Sequence, residues 1–126
     1  MELDPLLVSL RDHLQSDAIL EENPKGGWQV RASRSSRVLE ITEEQARLLM
    51  LPESEWFPLE LEYWRKRAQK LRTEEERNRR EIGWYESRDL LPPLYLFERR
   101  NRLINDLATA EEKIKILEQK LFNQEP

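Results

Sequence analysis

The sequence predicts a mainly α fold: a long antiparallel α-helical hairpin, coiled-coil-like, with a small N-terminal α/β segment containing a β-hairpin. Three observations predict it. Two stretches carry residues at alternating spacings of three and four, the pattern of a heptad seam. A Leu-Leu-Pro-Pro break at 90–93 separates them. Charged residues make up 37% of the 126 residues and hydrophobic residues 38%, a load that suits long helices with much surface and little core. The expected division is 1–52 for the small segment and 53–126 for the hairpin.

The elements follow in chain order. Asp4-Pro5 starts a helix, because Asp accepts from free first-turn amides and Pro tolerates the first helical position. Leu3, Leu7, Leu10 and Leu14 then mark one apolar stripe, and the helix is expected over about 5–16. Asn23-Pro24 and Gly26-Gly27 punctuate the next stretch as turns. Trp28, Val30 and Ala32 alternate with Gln29, Arg31 and Ser33, and Leu39 and Ile41 alternate with Val38 and Glu40. Around the polar Arg34-Ser35-Ser36 this reads as a β-hairpin, with Ala18–Leu20 as a candidate third strand. Thr42 and Gln45 have the spacing of a capping box, so a short helix should run from about Glu43 to Leu51 and stop at Pro52.

Pro58 is best tolerated in a first turn, so the first long helix is expected to begin between Ser54 and Pro58. Its seam is Leu61, Trp64, Ala68, Leu71, Glu75, Asn78, Ile82 and Tyr85, with Gly83 near the end. The second long helix, about 93–122, has the seam Leu96, Arg100, Leu103, Leu107, Ala110, Ile114, Leu117 and Leu121. Folding the chain back about Asp89 lays one seam on the other. Leu61 then meets Leu117, Trp64 meets Ile114, Ala68 meets Ala110, and Leu71 meets Leu107. The same register brings Arg72 to Glu111 and Arg65 to Glu118.

Trp64–Glu81 holds eight basic residues and four acidic ones. Lys66, Lys70, Arg77 and Arg80 point outward among Glu62, Glu76 and Glu81. This mixture fits the solvated flank of a hairpin better than a phosphate-tracking helix, which carries few carboxylates in its basic run. The net charge of −4 and pI near 5.2 also argue against a dedicated nucleic-acid-binding domain. Nucleic-acid binding or regulation stays as the alternative, through the turn arginines Arg31, Arg34 and Arg37 aided by Lys66, Lys70, Arg77 and Arg80.

Glu75, Asn78 and Arg100 place a polar layer in the seam. Such residues cost stability but can set register and partner number; the competing reading is a part of the hairpin open to water. Near the break the apolar residues exceed what two helices can bury. Trp84, Tyr85, Leu90, Leu91 and Tyr95 crowd the tip, and Phe97 and Ile104 widen the second seam. That surplus calls for another surface, so these seven are the candidate protein-binding residues, with another protein or a second copy of the chain as partner.

No catalytic signature emerges. The chain has no cysteine, which excludes disulfides and thiol chemistry, and its three glycines form no phosphate loop. His13 is the single histidine and reads as a solvated side chain. Carboxylate pairs such as Glu53 and Glu55 lie on helix surfaces. No metal, cofactor or catalytic residue is therefore assigned. The N-terminus does not resemble a signal peptide, and no apolar run approaches the ~20 residues that span a bilayer. The expectation is a cytoplasmic, non-enzymatic structural or adaptor protein without membrane contact.

Overall fold

A computed structural model describes residues 2–124. The element order is α1 (Pro5–Leu14), β1 (Ala18–Glu22), β2 (Trp28–Ala32), β3 (Val38–Ile41), α2 (Glu43–Leu49), α3 (Glu53–Glu86) and α4 (Leu94–Gln124). The chain divides into two compact units, Met1–Glu60 and Leu61–Pro126. It is mainly helical, with a three-stranded antiparallel sheet and two long helices in contact.

In the first unit, the Asp4 side chain caps α1 by accepting from the Leu7 amide at 2.9 Å, and Pro5 opens the helix. α1 ends at Leu14, two residues before the expected limit. The Ser16 and Asp17 amides both turn back to the His13 carbonyl, at 3.0 and 2.8 Å. This lets the chain enter β1, which extends the candidate third strand from Leu20 to Glu22. The sheet order is β1-β2-β3, and Leu20, Val30 and Leu39 lie in register across it. The β1–β2 connection uses Gly26 and Gly27 at φ of 98° and 87°, values that glycine adopts without a Cβ penalty. Val30 and Ile41 are buried, whereas Leu39 on the edge strand β3 is partly exposed.

α2 has the full capping box: Thr42 Oγ1 accepts from the Gln45 amide at 3.1 Å, and Gln45 Oε1 accepts from the Thr42 amide at 2.9 Å. α1 packs on α2 and β1, and α2 packs on β2. Leu7, Val8, Leu10, Ala46, Leu49 and Trp56 are buried in this unit. Arg11 ties the layer together. It donates to the Leu49 carbonyl at 2.6 Å and lies 4.9 Å from the Trp56 ring centroid. Burial pushes its guanidinium below the usual arginine pKa, opposed by Glu53 and Glu60.

α3 begins at Glu53, so Pro58 lies inside the helix and not in its first turn. It removes one amide donor near the start, while the Glu55 and Trp56 amides are satisfied by the Pro52 carbonyl. At the other end, α3 runs through Gly83 to Glu86. In the connection, the Leu90 amide returns to the Tyr85 carbonyl at 3.0 Å, and Asp89 takes the left-handed conformation at φ 55°.

In the second unit α3 and α4 pack in hairpin-like fashion. Ala68, Leu71, Leu103 and Ala110 form a buried cluster, flanked by Trp64, Leu107 and Ile114. Ala68 and Ala110 are fully buried; small residues there allow close helix approach. The direction is antiparallel, since Arg65 pairs with Glu118 at 3.7 Å, Arg72 with Glu111 at 3.3 Å and Arg99 with Glu81 at 3.9 Å. The two ion pairs expected from the register are thus present. Such exposed pairs are worth only ~0.2–1 kcal/mol each, so apolar burial contributes more than the charges to holding the two helices together. No described helix is long and apolar enough to cross a membrane.

Candidate protein-binding surface

The tip is built by the end of α3, the 87–93 connection and the first turns of α4. Pro92 is buried and anchors the connection, whereas its neighbours point outward. Leu91 is 89% exposed and Leu94 is 71% exposed. Trp84, Leu90, Tyr95 and Ile104 are each about half exposed, and Tyr85 and Phe97 are half-buried. Trp84 and Tyr85 meet edge-on, with centroids 4.9 Å apart. Of the seven sequence-predicted residues, those at the tip lie close along the chain, while Ile104 sits further down α4 beside Ile82 and Gly83. Leu94, at the start of α4, belongs with this exposed set although it is not one of the seven.

Sequence reasoning also missed the arginines on this surface. The Arg88 guanidinium lies 4.2 Å from the Trp84 ring centroid and donates to the Trp84 carbonyl at 2.9 Å. The Arg99 guanidinium lies 5.4 Å from the Tyr95 centroid. The second stack has a readable signal: Tyr95 and Arg99 are four apart on one helix, a spacing that brings side chains together. The first has the same spacing of four, but Arg88 lies just beyond the end of α3.

The polar layer separates into different environments. Asn78 is 1% exposed. Its Nδ2 donates to the Leu96 carbonyl at 3.0 Å, and its Oδ1 has no hydrogen-bond partner among the described residues. Glu75 is half-buried at the seam margin, where both its carboxylate oxygens accept from Arg79. Arg100 is exposed. Water therefore does not open the seam at Asn78.

The arginines of the alternative reading are not brought together as a free set. Strand pairing places Glu21 beside Arg31, at 2.7 Å, an acid ten residues away in sequence. Arg31, helped by Gln29, holds the Glu21 carboxyl below its ordinary range. Arg34 and Arg37 remain exposed at the turn. Lys66 pairs with Glu62 at 3.2 Å and Arg80 with Glu76 at 2.7 Å; Lys70 and Arg77 make no ion pair among the described residues. His13 is exposed and bonded to Asp17 at 2.8 Å, which holds the Asp17 carboxyl below its usual range. Among the described residues no group of three or more His, Cys, Asp or Glu is placed to hold a metal ion.

No family description, curated protein or solved structure matches the chain.

Proposed function

We propose that this chain is a non-enzymatic structural or adaptor protein that mediates protein–protein assembly through a coiled-coil-type hairpin and its apolar tip. The observation that carries the reading is the exposure of Leu91, Leu94, Leu90, Trp84 and Tyr95 at one end of two long helices. Concentrated apolar surface of this kind marks interaction sites, because leaving it in water is costly in colloidal terms and contributes nothing to the fold. Aromatic and leucine side chains on rigid helix ends also lose little conformational freedom on binding. The seam supplies the rigid arm and the tip supplies the contact.

The test compares the full chain with Leu91→Ser/Leu94→Ser. Light scattering across micromolar concentrations reads self-assembly, and a photo-crosslinker introduced at position 91 in cells reads foreign partners. The expected result is a discrete oligomer or a discrete crosslinked partner, lost in the serine variant while helicity is retained. A chain that stays monomeric and crosslinks to nothing refutes the proposal. Salt separates it from nucleic-acid binding, which falls steeply between low and moderate salt, whereas apolar assembly changes little.

A further inference from the structure

The sheet of the first unit ends at an open edge. Its order is β1-β2-β3, so β3 pairs with β2 on one side only. The Ala32 amide donates to the Arg37 carbonyl at 3.1 Å, and Val30 stands opposite Leu39. Bonded and non-bonded pairs alternate along an antiparallel ladder. Arg37, Leu39 and Ile41 therefore turn their backbone groups to β2, while Val38 and Glu40 turn theirs to the free side. The Val38 and Leu39 side chains are 46% and 41% exposed. Leu39 also lines an apolar groove of about 280 Å³ with Leu10 and Val30. Charge is polarised along this edge. Residues 31–47 carry four arginines and three glutamates. Arg31 is paired with Glu21 and Arg47 with Glu43. What remains is Arg34 and Arg37 just before β3, and Glu40 and Glu44 at and beyond its far end. None of these four makes an ion pair among the described residues, and Glu40 accepts one hydrogen bond, from Asn23. Asp17 at the basic end is engaged by His13, and Glu22 and Lys25 offset each other at the acidic end. With these counted, the first end stays positive and the second negative.

We propose that the β3 edge is a self-association surface: a second copy of this chain adds its own β3 antiparallel, across a two-fold axis normal to the sheet, and joins two three-stranded sheets into one. The surface belongs to the first unit and uses no tip residue. Antiparallel two-fold pairing lays the basic end of each strand along the acidic end of the other, so a strand polarised in this way is complementary to its own copy. The free backbone groups of Val38 and Glu40 limit the registers. Glu40 opposite Glu40 sets like charges directly across from each other, which is destabilising. Val38 opposite Val38 puts Leu39 against Arg37. Val38 opposite Glu40 puts Leu39 against Leu39 on the axis, in a non-bonded pair, where side chains come closest. In that last register the row Leu20–Val30–Leu39 runs unbroken into its copy, and the outward groups of Val38 and Glu40 are satisfied in both chains. Glu40 thus disfavours one register and serves another, as charged residues on edge strands do. The other edge, β1, does not offer the same match. Residues 17–22 carry Asp17, Glu21 and Glu22 and no basic residue, so two copies meeting there would set acid against acid.

The experiment uses the full chain, with and without Leu91→Ser/Leu94→Ser to remove tip contacts. Sedimentation equilibrium from micromolar to millimolar concentration should show a monomer–dimer equilibrium in both. Val38→Pro removes an amide that faces the free edge and none that bonds β2; it should abolish the dimer and leave the circular dichroism unchanged. Arg34→Glu/Arg37→Glu and Glu40→Arg/Glu44→Arg should each weaken self-association about tenfold at low salt. One variant is then acidic at both ends and the other basic, so an equimolar mixture should dimerise, a rescue that misfolding does not give. The chain has no cysteine, so Leu39→Cys probes the axis directly. It should oxidise to a disulfide-linked dimer, whereas Ile19→Cys, on β1 and similarly exposed, should not. A chain that is monomeric at every concentration overturns the inference. So does a dimer indifferent to Val38→Pro, a mixed pair that fails to associate, or equal disulfide formation at position 19. A photo-crosslinker at position 39 that captures another protein in cells and no second copy makes the occupant foreign and overturns it as well. The tip proposal fails separately: a dimer that survives Leu91→Ser/Leu94→Ser and is lost with Val38→Pro, with no crosslink at position 91, leaves the edge standing and removes the tip.

Discussion

Asn78→Leu should stabilise the second unit, although it deletes a hydrogen bond. The bond from Nδ2 to the Leu96 carbonyl, at 3.0 Å, is worth about 0.5–1.5 kcal/mol. Leu96 lies in the first turn of α4, where its carbonyl also accepts the helical bond from residue 100, so deleting Asn78 does not orphan it. Against that loss, Oδ1 is buried without a partner, a cost of about 1–3 kcal/mol that leucine removes. Burying the leucine side chain stabilises by roughly 1.5–3 kcal/mol, and its larger size costs roughly 1–3 kcal/mol in crowding. The balance is about 1 kcal/mol in favour of leucine, or roughly 4 °C in melting temperature for a unit of this length. Circular dichroism at the helical band, by heating and by urea, measures it. Adding Glu75→Leu removes the second seam polar group and should loosen the preference for one oligomeric state, read by light scattering. A lower melting temperature for Asn78→Leu with unchanged assembly would refute the reasoning, because the amide would then stabilise the seam outright.

The other perturbations act on different parts of the chain. Leu71→Ala deletes a buried side chain from the cluster with Leu103 and Ala110 and should cost about 2–5 kcal/mol by urea denaturation; a loss below about 1 kcal/mol would mean the seam is not packed there. Glu21→Gln should flatten the acid limb of stability. The Glu21 carboxyl is held below its ordinary range by Arg31 and Gln29, so its contribution is present above the unfolded value and lost as pH falls through the folded one. The melting temperature of the wild type should therefore fall more steeply than that of the variant on acidification below about pH 5, and parallel curves would contradict the pairing.

What the sequence reveals about this fold depends on how far apart the interacting residues lie. Seams, caps and breaks are local or periodic, so Leu71, Leu103 and Ala110, the Thr42–Gln45 box and the prolines at 92–93 can be read directly. Antiparallel folding then carries the periodic signal across the chain, and Arg72 finds Glu111. The pairing of Arg31 with Glu21 is different: it depends on strand register, which a single polar turn leaves open. Pro58 misleads for another reason. It is a local penalty of a few kcal/mol, and a helix with many packed turns absorbs it. Asn78 shows the limit of periodicity. Its spacing places it in the seam, but the spacing does not distinguish a buried amide bonded to Leu96 from one opened by water.

Seam and tip answer to different physical demands. Replacing Leu71 or Asn78 alters contacts that exist within one molecule, so folding free energy changes. Leu91 and Leu94 are mostly in solvent, and surface substitutions of this sort usually move stability by no more than ~0.5 kcal/mol. Folding therefore does not account for why leucine stands there. A helical hairpin needs a turn, and Asp89 with its left-handed backbone and the buried Pro92 already provide one. The leucines, Trp84 and Tyr95 exceed that requirement, and Arg88 and Arg99 lie against the two rings. That excess, which the fold does not use, is the observation on which the proposed partner-binding role rests.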